Sequence, residues 1–268
     1  MNVVFWSPFA GSAGVSSTMM AIALSTAIHH KVACSVTQLQ FENSGLLNTI
    51  FQTEDRTEIS YFENTGIDSL IRTANSGGIT KDDVLNSSFS FIEKRLNVFS
   101  KTGSVDKRMY NDDLLKGMEG IFSALNDTFK INFIDTPAGE NDCSKKALEL
   151  ADVVVVCLPQ SQWRIDDYFK RPQINKAFYV FSDYDSAQYL NYSNLLWKYR
   201  KVLQTNKSGI VPHCSGYANE CNRSHVISYF TVNEKCKKTD PNYAFITEVN
   251  KVTGKLLKAC KVNGGRAL

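Results

Sequence analysis

Short apolar runs alternate along the chain with segments whose apolar residues recur at helical spacing. This alternation is typical of βαβ units and predicts a parallel sheet. The predicted strands lie near residues 2–6, 32–37, 96–99, 131–135, 152–158, 177–181 and 209–211. The predicted helices cover residues 16–29, 64–75, 81–93, 111–129, 144–150, 187–204 and 241–261, with loops over 40–65 and 100–111. We therefore predict a doubly wound α/β fold in one domain (1–268), with a single, mostly parallel sheet and helices on both faces.

A loop of small residues joins the first predicted strand to the first predicted helix. It runs from Ser7 to Gly14, and an apolar helix begins at Ser16. Strand, Gly-rich loop and helix N-terminus form a phosphate cradle, because backbone N–H groups and the helix dipole face the anion. An alternative is that the small residues only let the helix pack close to the sheet. The residues predicted to bind a nucleotide are Gly11, Ser12, Ala13, Gly14, Val15, Ser16 and Ser17.

A carboxylate ends a second strand. The apolar run from Ile131 to Ile134 leads to Asp135, after which Thr136 to Gly139 turn the chain. Since the carboxyl ends of parallel strands meet at one edge of a sheet, Asp135 should lie near the small-residue loop. A carboxylate and a helix-start hydroxyl can hold Mg²⁺ through water, so we predict a Mg²⁺ position between Ser16 and Asp135. The alternative is that Ser16 is an ordinary helix cap and Asp135 a turn residue.

The loop lacks the cation of a standard P-loop, in which GxxxxGK is followed by Ser or Thr. With Gly14 aligned to the last Gly, Phe9 falls at the first Gly and Val15 at the Lys. Losing one charge-assisted phosphate contact costs about 1.5–3 kcal/mol of binding free energy. Hydrolysis suffers more, because charge on the transferring phosphoryl group must be stabilised. We expect weak binding of ATP or ADP with Mg²⁺, and ATP turnover near background.

Five segments, spread in order over nearly the whole chain, resemble motifs of the ParA/MinD family. Residues 6–18 resemble its deviant Walker A loop, usually KGGVGKT, and residues 135–139 resemble its DxPxG switch. Residues 96–99, 151–159 and 210–212 are similar to three of its strands. The resemblance implies a P-loop NTPase fold of the ParA/MinD type. It also implies nucleotide-dependent assembly that positions DNA, division proteins, or secretion and pilus machinery.

The chain departs from that family at its charged positions. Ala10 stands where the family has its signature Lys, Val15 replaces the Walker Lys, and residues 32–40 contain no Asp at the place of the catalytic carboxylates. The resemblance is therefore to a degenerate, TadZ-like or mobile-element relative. Our leading hypothesis is a localisation, partition or assembly scaffold, a pseudo-ATPase with weak or no hydrolysis. The alternative is a slow ATPase in which another lysine, such as Lys145 or Lys146 or one across a dimer, replaces the missing ones.

The amino-acid composition indicates which kinds of partner and which cellular location to expect. A net charge of +3 with 21% charged residues is too balanced to demand nucleic acid. No apolar run is long enough to span a membrane, and the N-terminus has no basic segment of a signal peptide. Cys34 and Cys157 lie in apolar runs and are expected to be buried, reduced thiols, which indicates a cytoplasmic protein. We expect a protein partner; a homodimer, a DNA surface and a peripheral membrane surface stay open.

A group of histidines and cysteines suggests a second alternative function. His213, Cys214, Cys221 and His225, with Cys236, could support a zinc-stabilised binding module. Their spacing matches no common zinc finger, so we expect ordinary loop residues.

The C-terminal segment carries apolar residues on one side and lysines between them. A helix of this kind can lie on an anionic membrane, as the C-terminal helix of MinD does. We expect instead that it packs on the sheet with its lysines in water.

Overall fold

The computed structural model describes residues 1–42, 45–50 and 65–262. The strands of this part of the chain form one eight-stranded sheet, in the order β3-β4-β2-β5-β1-β6-β7-β8. The strands are Asn2–Trp6 (β1), Cys34–Gln38 (β2), Ser88–Phe91 (β3), Leu96–Phe99 (β4), Ile131–Asp135 (β5), Val153–Pro159 (β6), Ala177–Tyr184 (β7) and Ser208–Pro212 (β8). All pairings are parallel except β3–β4. The predicted doubly wound α/β class is confirmed.

Helices cover both faces of this sheet. They are Val15–Ile28 (α1), Gly66–Ser76 (α2), Lys81–Asn86 (α3), Lys107–Thr128 (α4), Asp142–Leu150 (α5), Gln162–Phe169 (α6), Tyr192–Lys198 (α7), Ser215–Asn222 (α8), Val226–Val232 (α9) and Tyr243–Ala259 (α10). Buried side chains of α1, α8, α9 and α10 form the core on one face, and those of α2, α4, α5 and α6 form it on the other. Because both faces are covered, the central strands β1 and β6 are largely apolar on both sides and are buried apart from Pro159 at the end of β6.

The position of β1 determines where a ligand can bind. It lies between β5 and β6, and Val4 is in register with both Ile134 and Val154. The chain leaves β1 towards β2 on one side, and the later strands β6, β7 and β8 lie on the other. A crevice opens at the carboxyl ends of strands where the order reverses in this way. The loop after Trp6 lies at this crevice.

The helix predicted over residues 81–93 is wrong in its second half. It ends at Asn86, and Ser88–Phe91 instead forms the antiparallel edge strand β3. The sequence Ser-Phe-Ser-Phe alternates with the period of a strand. Ile92, Glu93 and Lys94 all have positive φ angles, which turns the chain back into β4. A tight turn of this kind makes the pairing possible, and helix-like spacing alone did not reveal it.

Several other helix boundaries differ from the predictions. The helices α6, α8 and α9 were not predicted, and the helix predicted over 187–204 is shortened to α7. The loop predicted over 100–111 ends early because Asp106 caps α4, accepting bonds from the backbone N–H groups of Arg108 and Met109. The loop predicted over 40–65 lies largely outside the described residues.

The C-terminal helix α10 packs on the sheet as expected. Val249, Val252, Leu256 and Leu257 are buried against β8 and α1. Lys255 donates a hydrogen bond to the backbone oxygen of Ser208. The apolar side of this helix is therefore covered by the fold. Within the described residues, no helix is long and apolar enough to cross a membrane.

Candidate functional site

The loop after β1 has the backbone geometry of an anion cradle. Gly11 and Gly14 have φ angles of +69° and +51°, a region that favours glycine. Gly14 is the residue before α1, and its carbonyl accepts the first helical bond from the N–H of Thr18 at 2.9 Å. The first turn of α1 contains no acidic residue. The free N–H groups and the positive end of the dipole of α1 therefore face the loop, and no carboxylate of the helix itself competes for them.

Asp135 lies at the end of β5, directly beside the start of α1. Its Oδ2 accepts a hydrogen bond from Ser16 Oγ at 2.5 Å and another from Gln38 Nε2 at 3.1 Å. Its Oδ1 has no hydrogen-bond partner, although the residue is fully buried. Burial raises the pKa of this carboxyl group, while the side chains of Ser16, Gln38 and Gln40 oppose the rise. The structure thus brings together the two residues predicted to flank Mg²⁺, in direct contact.

The turn after Asp135 is tied to the loop. Gly139, with a φ angle of +77°, donates its N–H to the carbonyl of Ser7 at 2.9 Å. The indole Nε1 of Trp6 donates to the carbonyl of Gly139 at 2.9 Å. These bonds couple the loop after β1 (residues 7–14) to the turn after β5 (residues 136–139), because movement of either segment would strain its contacts with the other.

Two adjoining pockets lie over the loop. One, of about 360 Å³, lies above Gly11 to Ser17 and reaches Gln40 and Thr136. The other, of about 480 Å³, extends from the loop to Asp183, His213 and Tyr217. They share Gly11, Ser12, Gly14 and Ser17, so they form one groove across the start of α1. Their volumes fall in the range of small-molecule sites.

The two positions at which the related motif has lysines carry no charge here. Ala10 is an exposed loop residue, and Val15 is half-buried and packs its side chain on the core beneath α1. Of the lysines suggested as replacements, Lys146 pairs with Glu119 of α4. Lys145 lies exposed in the first half of α5.

Gln38 and Gln40 are functional candidates that sequence reasoning did not single out. Gln38 connects Asp135 to the chain beyond β2, because its Oε1 also accepts the N–H of Leu46. Both glutamines stand in the segment where the expected carboxylates are missing. Their place at the end of the buried strand β2 and just after it was the signal that could have identified them.

The candidate zinc residues do not gather into one site. His213 pairs with Asp183, with 2.6 Å between Nδ1 and Oδ1, whereas His225 contacts Glu220. In residues 1–42, 45–50 and 65–262, no group of three or more His, Cys, Asp or Glu side chains could hold a metal ion. The proposed zinc module therefore has no supporting cluster in this part of the chain.

The cysteines predicted to lie in the core do so. Cys34 and Cys157 are fully buried, and desolvation raises the pKa of the Cys157 thiol to about 12. Both therefore behave as small apolar side chains rather than as reactive thiolates.

Comparison with solved structures relates this fold to that of the ParA/MinD ATPases. A ParA family ATPase from Chlorobium tepidum superposes with a TM-score of 0.70 at 9% identity, over 94% of this chain and 98% of the other. A putative plasmid partition protein from Borrelia burgdorferi, bound to AMPPNP, gives 0.60 at 15% identity, over 96% and 98%. A chain of the Aquifex aeolicus MinC:MinD cell division protein complex gives 0.61 at 12% identity, over 96% of each chain. The chain thus has the P-loop NTPase fold of the ParA/MinD type.

Sequence comparison adds nothing to this structural likeness. The chain matches no protein-family model and no curated protein.

Proposed function

We propose that this chain binds a nucleotide weakly through the loop after β1 and acts as a localisation, partition or assembly scaffold with weak or no ATP hydrolysis. One observation carries the proposal. The cradle keeps its backbone shape at Gly11 and Gly14, whereas Ala10 and Val15 leave both lysine positions without a cation. The backbone N–H groups and the dipole of α1 still favour an anion. The structural likeness to a ParA family ATPase and to a putative plasmid partition protein bound to AMPPNP supports a nucleotide as that anion.

The nucleotide-binding residues of this proposal are the loop residues and the first turn of α1. They are Gly11, Ser12, Ala13, Gly14, Val15, Ser16 and Ser17, of which four line both pockets of the groove. Backbone contacts dominate in such a site, so side-chain losses weaken it without removing it.

The donor set beside the loop fits Mg²⁺. The unpaired, buried Oδ1 of Asp135 is an oxygen acceptor that lacks its partner, and the hydroxyl of Ser16 lies next to the same carboxylate. Mg²⁺ prefers oxygen ligands and keeps several waters, so Ser16 and Asp135 would hold it through water. A bound Mg²⁺ would partly neutralise the phosphate charge. The bond from Gln38 would orient the carboxylate.

Titration of purified protein with ADP and ATP, with and without Mg²⁺, tests the binding. We expect weak binding that strengthens with Mg²⁺, and ATP turnover at background. The matched control is Asp135→Ala, which should lose the Mg²⁺ effect. A clear Mg²⁺-dependent turnover that Asp135→Ala abolishes would instead establish the slow ATPase, and no binding at millimolar nucleotide would contradict the proposed site.

A scaffold also requires something to assemble with. By analogy with the MinC:MinD complex, we propose a protein partner, with homodimer formation on nucleotide as the simplest assembly step. A TadZ-like or mobile-element role in the cytoplasm, at a membrane surface or on DNA would suit such a scaffold. Size-exclusion chromatography coupled to light scattering, with and without Mg-ATP, tests self-association. A mass that stays that of one chain under both conditions would contradict the homodimer.

A further inference from the structure

The side chain of Arg164, in α6, reaches over the loop after β1. Its Nη1 donates a hydrogen bond to Ser12 Oγ, a loop residue 152 positions earlier in the chain. Its guanidinium carbon lies 5.4 Å from the ring centroid of Phe9 and 5.1 Å from that of Trp163. Phe9 and Ser12 flank the loop position of Ala10, so Arg164 contacts the loop on both sides of a missing lysine.

The order of the strands explains why Arg164 lies close to this loop. The strands β1 and β6 are neighbours, with Trp6 in register with Val156. The loop follows β1 and α6 follows β6, so both begin at the same edge of the sheet. Phe9 and Trp163 also pack against each other, with 6.5 Å between their ring centroids. Two aromatic rings thus hold the guanidinium in place through cation–π contacts.

Arg164 differs from other cations near this edge in its pairing. Lys107 pairs with Glu42, Lys146 with Glu119 and Arg171 with Asp167. Within the described ranges, no carboxylate forms an ion pair with Arg164, whose bonding partner is the neutral hydroxyl of Ser12. A guanidinium carries five N–H donors, so most of its donors can still bind an anion.

We propose that Arg164 is the cation that binds the phosphate groups of the nucleotide, in place of the lysines that Ala10 and Val15 lack. This inference rests on the proposed nucleotide site. Arg164 already donates a hydrogen bond to an oxygen at the edge of the groove, the hydroxyl of Ser12. Ser12 lines both pockets, so a phosphate oxygen bound in the groove would lie within reach of the same guanidinium. Arginine suits this task because its planar fork binds two phosphate oxygens at once and stays charged at all working pH values.

Equilibrium binding of Mg-ADP to the full chain tests the role of Arg164. Arg164→Gln should weaken binding about 10- to 100-fold, the value of one charge-assisted contact. Arg164→Lys should retain part of the affinity, because it keeps the charge but not the fork. The matched control is Arg171→Gln, which removes an arginine just beyond the same helix that is already paired with Asp167. That control should bind as the wild type does.

Two further measurements distinguish phosphate binding by Arg164 from a purely structural role. They are the affinity for adenosine and the emission of Trp163. Adenosine has no phosphate, so Arg164→Gln should leave its affinity, measured by competition, unchanged. Addition of ADP should alter the emission of Trp163 as the guanidinium moves towards phosphate. The part of the change that comes from Trp163, obtained as the difference from Trp163→Phe, should be absent in Arg164→Gln.

The outcomes separate this inference from the proposed function. If Arg164→Gln binds Mg-ADP like the wild type, or loses ADP and adenosine alike, the role of Arg164 is overturned while the nucleotide site stands. If the wild-type chain binds no ADP, the proposed site fails and this inference fails with it.

Discussion

At the scale of single residues, the uncharged side chain at position 15 limits how tightly the loop can bind phosphate. Val15 begins α1 and packs half-buried on the core, at the position that the sequence resemblance aligns with a lysine. A lysine there can extend its flexible stem out of this position and place an ammonium group beside bound phosphate.

We expect Val15→Lys to tighten Mg-ADP binding by about 10- to 100-fold, the worth of one charge-assisted contact. Calorimetric titration measures the change. Val15→Met is the control, because it has a similar length without the charge and should leave the affinity unchanged. Equal affinities for Val15→Lys and the wild type, with the fold intact by circular dichroism, would mean that the loop does not face the phosphates.

At the scale of elements, one carboxylate joins α6 to the end of α7 through several polar contacts. Asp166 accepts hydrogen bonds from Tyr199 Oη at 2.7 Å and from Gln162 Nε2 at 2.8 Å, and it pairs with Lys198. The bond from Tyr199 is the main reason that the pKa of Asp166 is lowered to about 2. The ionised form of Asp166 therefore stabilises the fold.

The pH dependence of stability should reveal this contact. Because the folded-state pKa is lowered, the stabilisation is complete above the ordinary carboxyl pKa and is lost as the pH falls towards 2. Tyr199→Phe should reduce the loss of unfolding free energy between about pH 5 and about pH 3. The effect should stay below about 1 kcal/mol, because the carboxylate is partly exposed. Urea unfolding measures it, with the exposed Tyr189→Phe as control, and an unchanged pH dependence would contradict the assignment.

The packing of α10 on β8 depends on a glycine. A Cβ atom at Gly209 would lie 2.5 Å from Val252 Cγ2 and 2.9 Å from its Cβ. We expect Gly209→Ala to destabilise the protein by about 1–3 kcal/mol through overpacking. Adding Val252→Ala should cost less than the sum of the two single changes, because it makes room for the new methyl group. Strictly additive unfolding free energies would show that the two residues do not meet.

At the scale of the whole molecule, the site is held at a cost to stability. Asp135 is fully buried with one oxygen unpaired, at the centre of the sheet. Burial of a partly satisfied carboxylate is unfavourable unless a ligand completes it. Sites that serve a ligand often carry this kind of penalty.

We expect Asp135→Asn to raise the unfolding free energy of the ligand-free protein by about 1–2 kcal/mol, since a neutral amide avoids the cost of burying charge. The same change should abolish the effect of Mg²⁺ on nucleotide binding. Differential scanning calorimetry with and without Mg-ADP measures both. Destabilisation of the ligand-free protein by Asp135→Asn would show that the carboxylate is fully compensated by Ser16 and Gln38.

The predictable part of this protein is local in the chain. The α/β class, the strand–loop–helix unit over residues 2–28 and the arrival of Asp135 at a strand end follow from hydrophobic periodicity and turn residues a few positions apart. The burial of Cys34 and Cys157 follows from the apolar runs around them. Such features depend on backbone propensity and side-chain burial, which short segments already encode.

Tertiary structure alone decided the contacts between distant segments. Gln38 reaches Asp135 across 97 positions, and Arg164 reaches Ser12 across 152. The edge strand β3 exists because its turn lets it pair with β4, and the apolar side of α10 is covered because β8 lies beneath it. These contacts depend on strand order, which brings the ends of β1, β5 and β6 together. Sequence by itself determined the strand, the glycine loop and the helix start of the candidate site. Only the packed sheet decided which side chains surround them, because neighbours in space are set by topology and not by distance along the chain.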